Sequence, residues 1–105
     1  MPRRSTALSP QGTAESAYRA VQSDARVMIL RFLLETGTAD RRQITEATGL
    51  SNSTALGAIA ELVDAGYVVT NIEANAPRAG RRVDYTADRR RLTADLFDFM
   101  GWLLS

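Results

Sequence analysis

The sequence predicts a mainly α-helical single domain carrying one small β-hairpin, and three observations make that prediction. Apolar residues recur at helical spacing in five segments, four in succession and one at the end of the chain. Three of those segments stop on a glycine, at Gly37, Gly49 and Gly66, the usual residue just past a helix end. After Gly66 the pattern changes to β-branched and aromatic residues, then turn chemistry, then a last helical stretch. With 105 residues the chain has room for one hydrophobic core.

Residues 1–13 lack periodicity and hold two of the three prolines. They are expected to form a flexible tail ahead of a domain spanning 14–105. Ala14, Ala17, Tyr18 and Val21 mark a short amphipathic first helix. In the second, Val27, Leu30, Leu33 and Leu34 form one face, while Met28, Ile29 and Phe32 make it apolar nearly all round. Such a helix is expected to be buried or shared with a partner chain. Asp40-Arg-Arg-Gln43 has the form of a capping box: the carboxylate accepts from free amides and the glutamine reaches back. Ile44 and Ala47 are the expected inward residues of that short third helix. Ser51 is the expected cap of the fourth, whose inner stripe is Ala55, Ile59, Leu62 and Val63. Tyr67–Ile72 and Arg81–Tyr85 read as strands around turn residues 75–80. A terminal helix, about 88–104, carries Leu92, Leu96, Phe99, Met100 and Leu103 along one side. That is more apolar surface than one small domain covers.

Composition narrows function by what is missing. The chain has no cysteine, histidine or lysine, and all thirteen basic residues are arginine. The commonest general base and the commonest metal ligands are therefore absent, and neither an enzyme, a metal site nor a cofactor is expected. Asp95 and Asp98 make a poor metal site alone and are expected on a solvated face. No apolar run nears the roughly 20 residues of a membrane span, so a cytoplasmic location and no membrane partner are the expectation. Net charge is only +1, but arginine gathers in the tail, at Arg3 and Arg4, and over 71–91 at positions 78, 81, 82, 89, 90 and 91.

Two helices joined by a tight turn leave the outer face of the second free to enter a major groove. A hairpin with arginine near its tip suits the flanking backbone or the minor groove. The order of elements is thus that of a winged helix-turn-helix. Ile44-Thr-Glu-Ala-Thr-Gly-Leu-Ser-Asn-Ser-Thr54, with Ile59, Leu62 and Ala65-Gly-Tyr-Val68, resembles the helix-turn-helix of ArsR-like regulators, the MarR group being close relatives. Ala20–Leu30, where an arginine precedes an Ile-Leu pair, and Gly80–Tyr85 are similar to that family's second helix and wing strand. The resemblance implies a sequence-specific regulator of double-stranded DNA, in most members a repressor, dimeric through its first and last helices. Ala17, Tyr18 and Val21 with Leu92, Leu96, Phe99, Met100 and Leu103 would form that interface.

On this reading residues 51–65 are the recognition helix and 74–82 the wing. Asn52, Ser53, Leu56 and Gly57 are the candidates for base readout, Asn52 as an adenine reader through its paired amide groups. Arg41, Arg42, Ser51, Thr54, Arg78, Arg81 and Arg82 are the candidates for the DNA backbone. Related regulators carry basic residues or histidine where this chain has Gly57 and Ala60, and Glu61 and Asp64 would repel phosphate. The uncharged recognition face and the apolar last helix leave open an alternative, a winged helix that docks a protein rather than DNA. The sequence does not identify a small-molecule effector.

Overall fold

The computed structural model describes residues 8–72 and 82–105. Its elements are α1 (Thr13–Val21), α2 (Asp24–Thr36), β1 (Thr38–Asp40), α3 (Arg41–Thr48), α4 (Asn52–Ala65), β2 (Val68–Thr70), β3 (Asp84–Ala87) and α5 (Arg89–Leu104). The expected five helices are all present, with a three-stranded antiparallel sheet in the order β1-β3-β2. Packing begins ahead of the expected boundary at residue 14, since Pro10 is already buried.

The helix ends follow from their capping residues. The Asp40 carboxylate accepts from the Gln43 amide at 2.8 Å and the Gln43 side chain accepts from the Asp40 amide at 2.9 Å, which completes the capping box. Ser51 accepts from the Thr54 amide to start α4, and Asp88 accepts from the Arg91 amide to start α5. At the end of α4, Gly66 has φ 87°, and the Arg91 guanidinium stands 2.9 Å from where a Cβ would be. Glycine is demanded there by backbone conformation; the guanidinium is the far end of a flexible side chain and could move aside.

Strand β1 is the element the sequence reading missed. Three residues are too few to show an alternation; the segment is a strand because β3 pairs with it. Ala39 lies opposite Tyr85 on β3, and Thr70 of β2 lies opposite the same tyrosine. Ala39 and Tyr85 are buried, whereas Val69 on the other face is exposed. The returning strand lies later than expected, at 84–87, because Asn71 closes the hairpin base with its side chain. Its Nδ2 donates to the Arg82 carbonyl and its Oδ1 accepts from the Asp84 amide, so the ladder starts at residue 84.

The core gathers Ile29, Leu30 and Leu33 of α2 with Ile44, Ala58, Ile59, Leu62, Tyr67, Val68, Tyr85 and Leu92. Three expectations need correction. Val63 is exposed and Ala58 takes its place in the α4 stripe. Ala47 is exposed, and the half-buried Thr48, bonded to the Ile44 carbonyl, closes that turn of α3 instead. In α2, Val27 and Met28 are exposed, so of the two readings of that helix, burial or a surface shared with a partner chain, full burial does not hold. On α1, Ala14, Ala17 and Ala20 face inward, and small side chains let that helix lie close against α5.

Asp95 is likewise not on a solvated face. It is buried, and the fully buried Tyr67 donates its hydroxyl to Asp95 Oδ2 at 2.7 Å. The Tyr67 phenol is pushed up from 10.0 to about 12, chiefly by burial, with the Ser16 hydroxyl opposing and Asp95 reinforcing the shift. Because the folded-state value is the higher one, stability held by the neutral phenol is complete below pH 10 and is lost as pH rises from 10 towards 12. Tyr67→Phe strands a buried carboxylate and should cost about 1–3 kcal/mol in urea denaturation at neutral pH. The gap between wild type and variant should narrow over that alkaline window; a gap independent of pH would contradict this account.

Candidate nucleic-acid interface

Residues Gly49, Leu50 and Ser51 form the turn between α3 and α4. Gly49 takes φ 75° to end α3, and half-buried Leu50 anchors the turn on the core. Ser51 then caps α4 and also donates its hydroxyl to Thr54 Oγ1 at 3.0 Å. Ser51 and Thr54, both expected on the DNA backbone, are therefore bonded to each other. With Ala55, Ala58, Ile59 and Leu62 buried, the helix turns Asn52, Ser53, Leu56, Gly57 and Ala60 outward, all exposed. A Cβ at Gly57 would meet nothing within 4 Å, so the surface there is open to an approaching molecule.

Arginines flank this face. Arg41 opens α3 and donates from Nη1 to Asn52 Oδ1 at 2.6 Å, across the turn. Arg42 projects into solvent and pairs with Glu46 at 3.2 Å. Arg82 is held at the hairpin base: Nε lies 2.8 Å from Asp84 Oδ1 and 3.2 Å from Asp40 Oδ2, and Nη2 donates to Gln43 Oε1 at 3.1 Å. It ties the base of the wing to the capping box of α3. Arg78 and Arg81, with the rest of the expected wing tip, lie outside the described residues. A shallow cavity of about 330 Å3 separates these groups, lined by Asp40, Arg41, Arg42, Leu56, Arg82 and Val83 among others.

Sequence reasoning did not find the Arg41–Asn52 bond or the partner of Glu61. Arg26 on α2 pairs with Glu61 on α4 and also donates to the Arg19 carbonyl at the end of α1. Glu61 is therefore neutralised rather than free to repel phosphate. Thirty-five residues separate Arg26 from Glu61, and no local spacing signals such a pair. The Arg41–Asn52 bond had a signal, an arginine beginning one helix and an asparagine beginning the next.

The second surface lies on α1 and α5. Of the residues expected at a dimer interface, Ala17 and Leu92 are already buried within the chain, and Leu96 is packed on its core. Phe99 is half-buried, its ring 5.3 Å from that of Tyr18 and 5.9 Å from that of Trp102. Tyr18, Val21, Met100 and Leu103 remain exposed, and Phe97 and Leu104 join them at 63% and 75% exposure. A larger cavity, about 660 Å3, lies apart from the helix-turn-helix face between α1 and the second half of α4. Among the described residues no helix is long and apolar enough to cross a membrane.

Residues 22–69 match the family model for winged helix-turn-helix DNA-binding domains. An ArsR family transcriptional regulator, RHA00566, superimposes with a TM-score of 0.66 at 18% identity, covering 89% of this chain and 90% of that one. The cadmium sensor CmtR of Mycobacterium tuberculosis matches with a TM-score of 0.56 at 28% identity, covering 75% and 76%. The repressor BigR of Xylella fastidiosa gives 0.61 at 14% identity over 82% and 81%. No curated protein matches the sequence. Family match and geometry agree on the fold: the elements from α2 to β3 have the arrangement of a winged helix-turn-helix, residues 22–69 match the DNA-binding family model, and the chain shares the fold of ArsR-type transcriptional regulators.

Proposed function

We propose that this chain is a homodimeric transcriptional regulator that inserts the first half of α4 into the major groove of double-stranded DNA. The observation that carries the reading is the exposed, unobstructed face of Asn52, Ser53, Leu56 and Gly57 in a segment matching DNA-binding winged helices. The protein-docking alternative is not favoured by that match. Base edges meet Asn52 and Ser53, and Leu56 lies against a thymine methyl. Arg42, exposed beside the groove, meets phosphate, as do Arg78 and Arg81 of the wing. Arg82, bound to Asp40 and Asp84, holds the base of the hairpin against α3. The regulator acts by occupying its site, which is repression in its simplest form. The cadmium in the name of the mycobacterial relative has no counterpart here, since the chain offers neither thiolate nor imidazole.

The partner copy covers the apolar face of α1 and α5. Tyr18, Phe97, Met100 and Leu103 form an exposed apolar surface on adjacent helices, which water disfavours, and a two-fold pairing buries it on both copies at once. Light scattering at micromolar concentration should give about twice the chain mass of 11.5 kDa. Phe97→Glu with Leu103→Glu should return the mass to that of one chain while the helical spectrum persists. A wild-type monomer with a stable fold would contradict the pairing.

Affinity for duplex DNA should fall steeply with salt, the logarithmic slope being about −0.9 per phosphate neutralised. Arg42→Ala should remove about one such increment and weaken binding to every sequence alike. Gly57→Arg places a donor in open space on the reading face and replaces a poor helix former; it should raise affinity or change the preferred sequence. Gel-shift titrations at several salt concentrations measure both. Unchanged binding in both variants would move the contact away from this face.

A further inference from the structure

We infer that Arg41 sets the base preference of Asn52, so that the two side chains together read guanine rather than adenine. The inference rests on the DNA-binding reading above and goes beyond it by naming the base. Ser51, not Asn52, caps α4, so the Asn52 amide is not consumed by its own helix. Its oxygen is instead held by Arg41 Nη1 at 2.6 Å. A guanidinium only donates, so that contact fixes which end of the amide faces Arg41. The oxygen lies towards the arginine, and the NH2 group is left to face outward.

The asparagine–adenine pairing uses both ends of the amide: the oxygen accepts from adenine N6 while the nitrogen donates to N7. With its oxygen turned towards Arg41 and one lone pair engaged there, Asn52 offers its NH2 donors outward. Arg41 adds more, for its guanidinium has five N–H groups and forms no ion pair among the described residues. Arg42, its neighbour, is paired with Glu46. The surface presented at the start of α4 is therefore one of donors side by side. Guanine, with N7 and O6, offers two adjacent acceptors in the major groove; adenine and cytosine each set an amino donor there, and thymine has a single acceptor beside its methyl group. Donors meeting an amino group leave both unpaired, which is how a site rejects the wrong base. Arg41 is thus a specificity-determining residue whose effect is exerted partly through Asn52. A simple brace between α3 and α4 would use the same bond but would not care which base it met.

Selection from a randomised duplex pool separates these roles. The wild-type protein should enrich guanine at one position of each half-site. Arg41→Ala frees the asparagine oxygen and should move that position from guanine to adenine, changing the ratio of the two by about tenfold or more. Arg41→Met, which keeps the aliphatic stem without donors, should do the same and guards against a loss of packing. Adding Asn52→Ala to either variant should abolish the adenine preference. If both arginine variants keep guanine and bind all duplexes more weakly by one factor, the pair is a brace and the inference fails. If wild type binds duplex DNA but enriches no base at that position, the inference fails while the DNA-binding reading stands. Absence of any duplex binding by the wild type overturns both.

Discussion

Asp95 is a carboxylate buried in a small domain, a placement that costs several kcal/mol unless hydrogen bonds compensate it. Its partner is the hydroxyl of Tyr67, which follows the glycine that ends α4. Two further contacts act at the same place. The Asp88 amide donates to the Tyr67 carbonyl at 2.8 Å, and the Arg91 guanidinium lies over Gly66. The end of the recognition helix is therefore fixed to α5 by polar contacts that hold in one arrangement only. An apolar contact alone would tolerate sliding; a buried donor and acceptor do not. On the proposed pairing through α5, that rigidity would set the distance between the two copies of α4, and with it the spacing of the half-sites.

Charge is distributed to suit a reading face that carries none of its own. The outward residues at the start of α4 are polar or apolar, and the cations stand to either side on α3 and at the wing base. Glu61 would work against phosphate, but Arg26 neutralises it while also fastening the end of α1. Arg82 looks in the sequence like one of a pair of wing arginines. In the structure two carboxylates and Gln43 hold it. The exposed ion pairs among these contribute little to stability; their effect is to place side chains.

The helices were legible because several local signals agreed at each end. Ser51 and Gly66 bound α4, Asp40 and Gln43 start α3, and Asp88 starts α5, all at the expected positions. Periodicity served less well wherever small residues share a face: Ala58 is buried and Ala47 exposed, and nothing in the alanine itself distinguishes them. Strand β1 was hidden because its existence depends on β3, more than forty residues away. Tyr67 and Asp95 were both visible as residues, but their bond is a tertiary fact. The outward face of α4 was legible in outline from its caps and stripe. The state of Asn52 was not, since its oxygen is claimed by a side chain from another helix.

The central claim is that the first half of α4, with Arg41 and Arg42, meets duplex DNA while α5 meets a second copy. Amide chemical shifts of the labelled protein, followed during titration with duplex DNA, test it most directly. The account predicts that perturbations concentrate at residues 41–42, at 51–57 and along the wing, and leave Phe97–Leu104 unmoved. Perturbations centred on α5, with 51–57 silent, would contradict it.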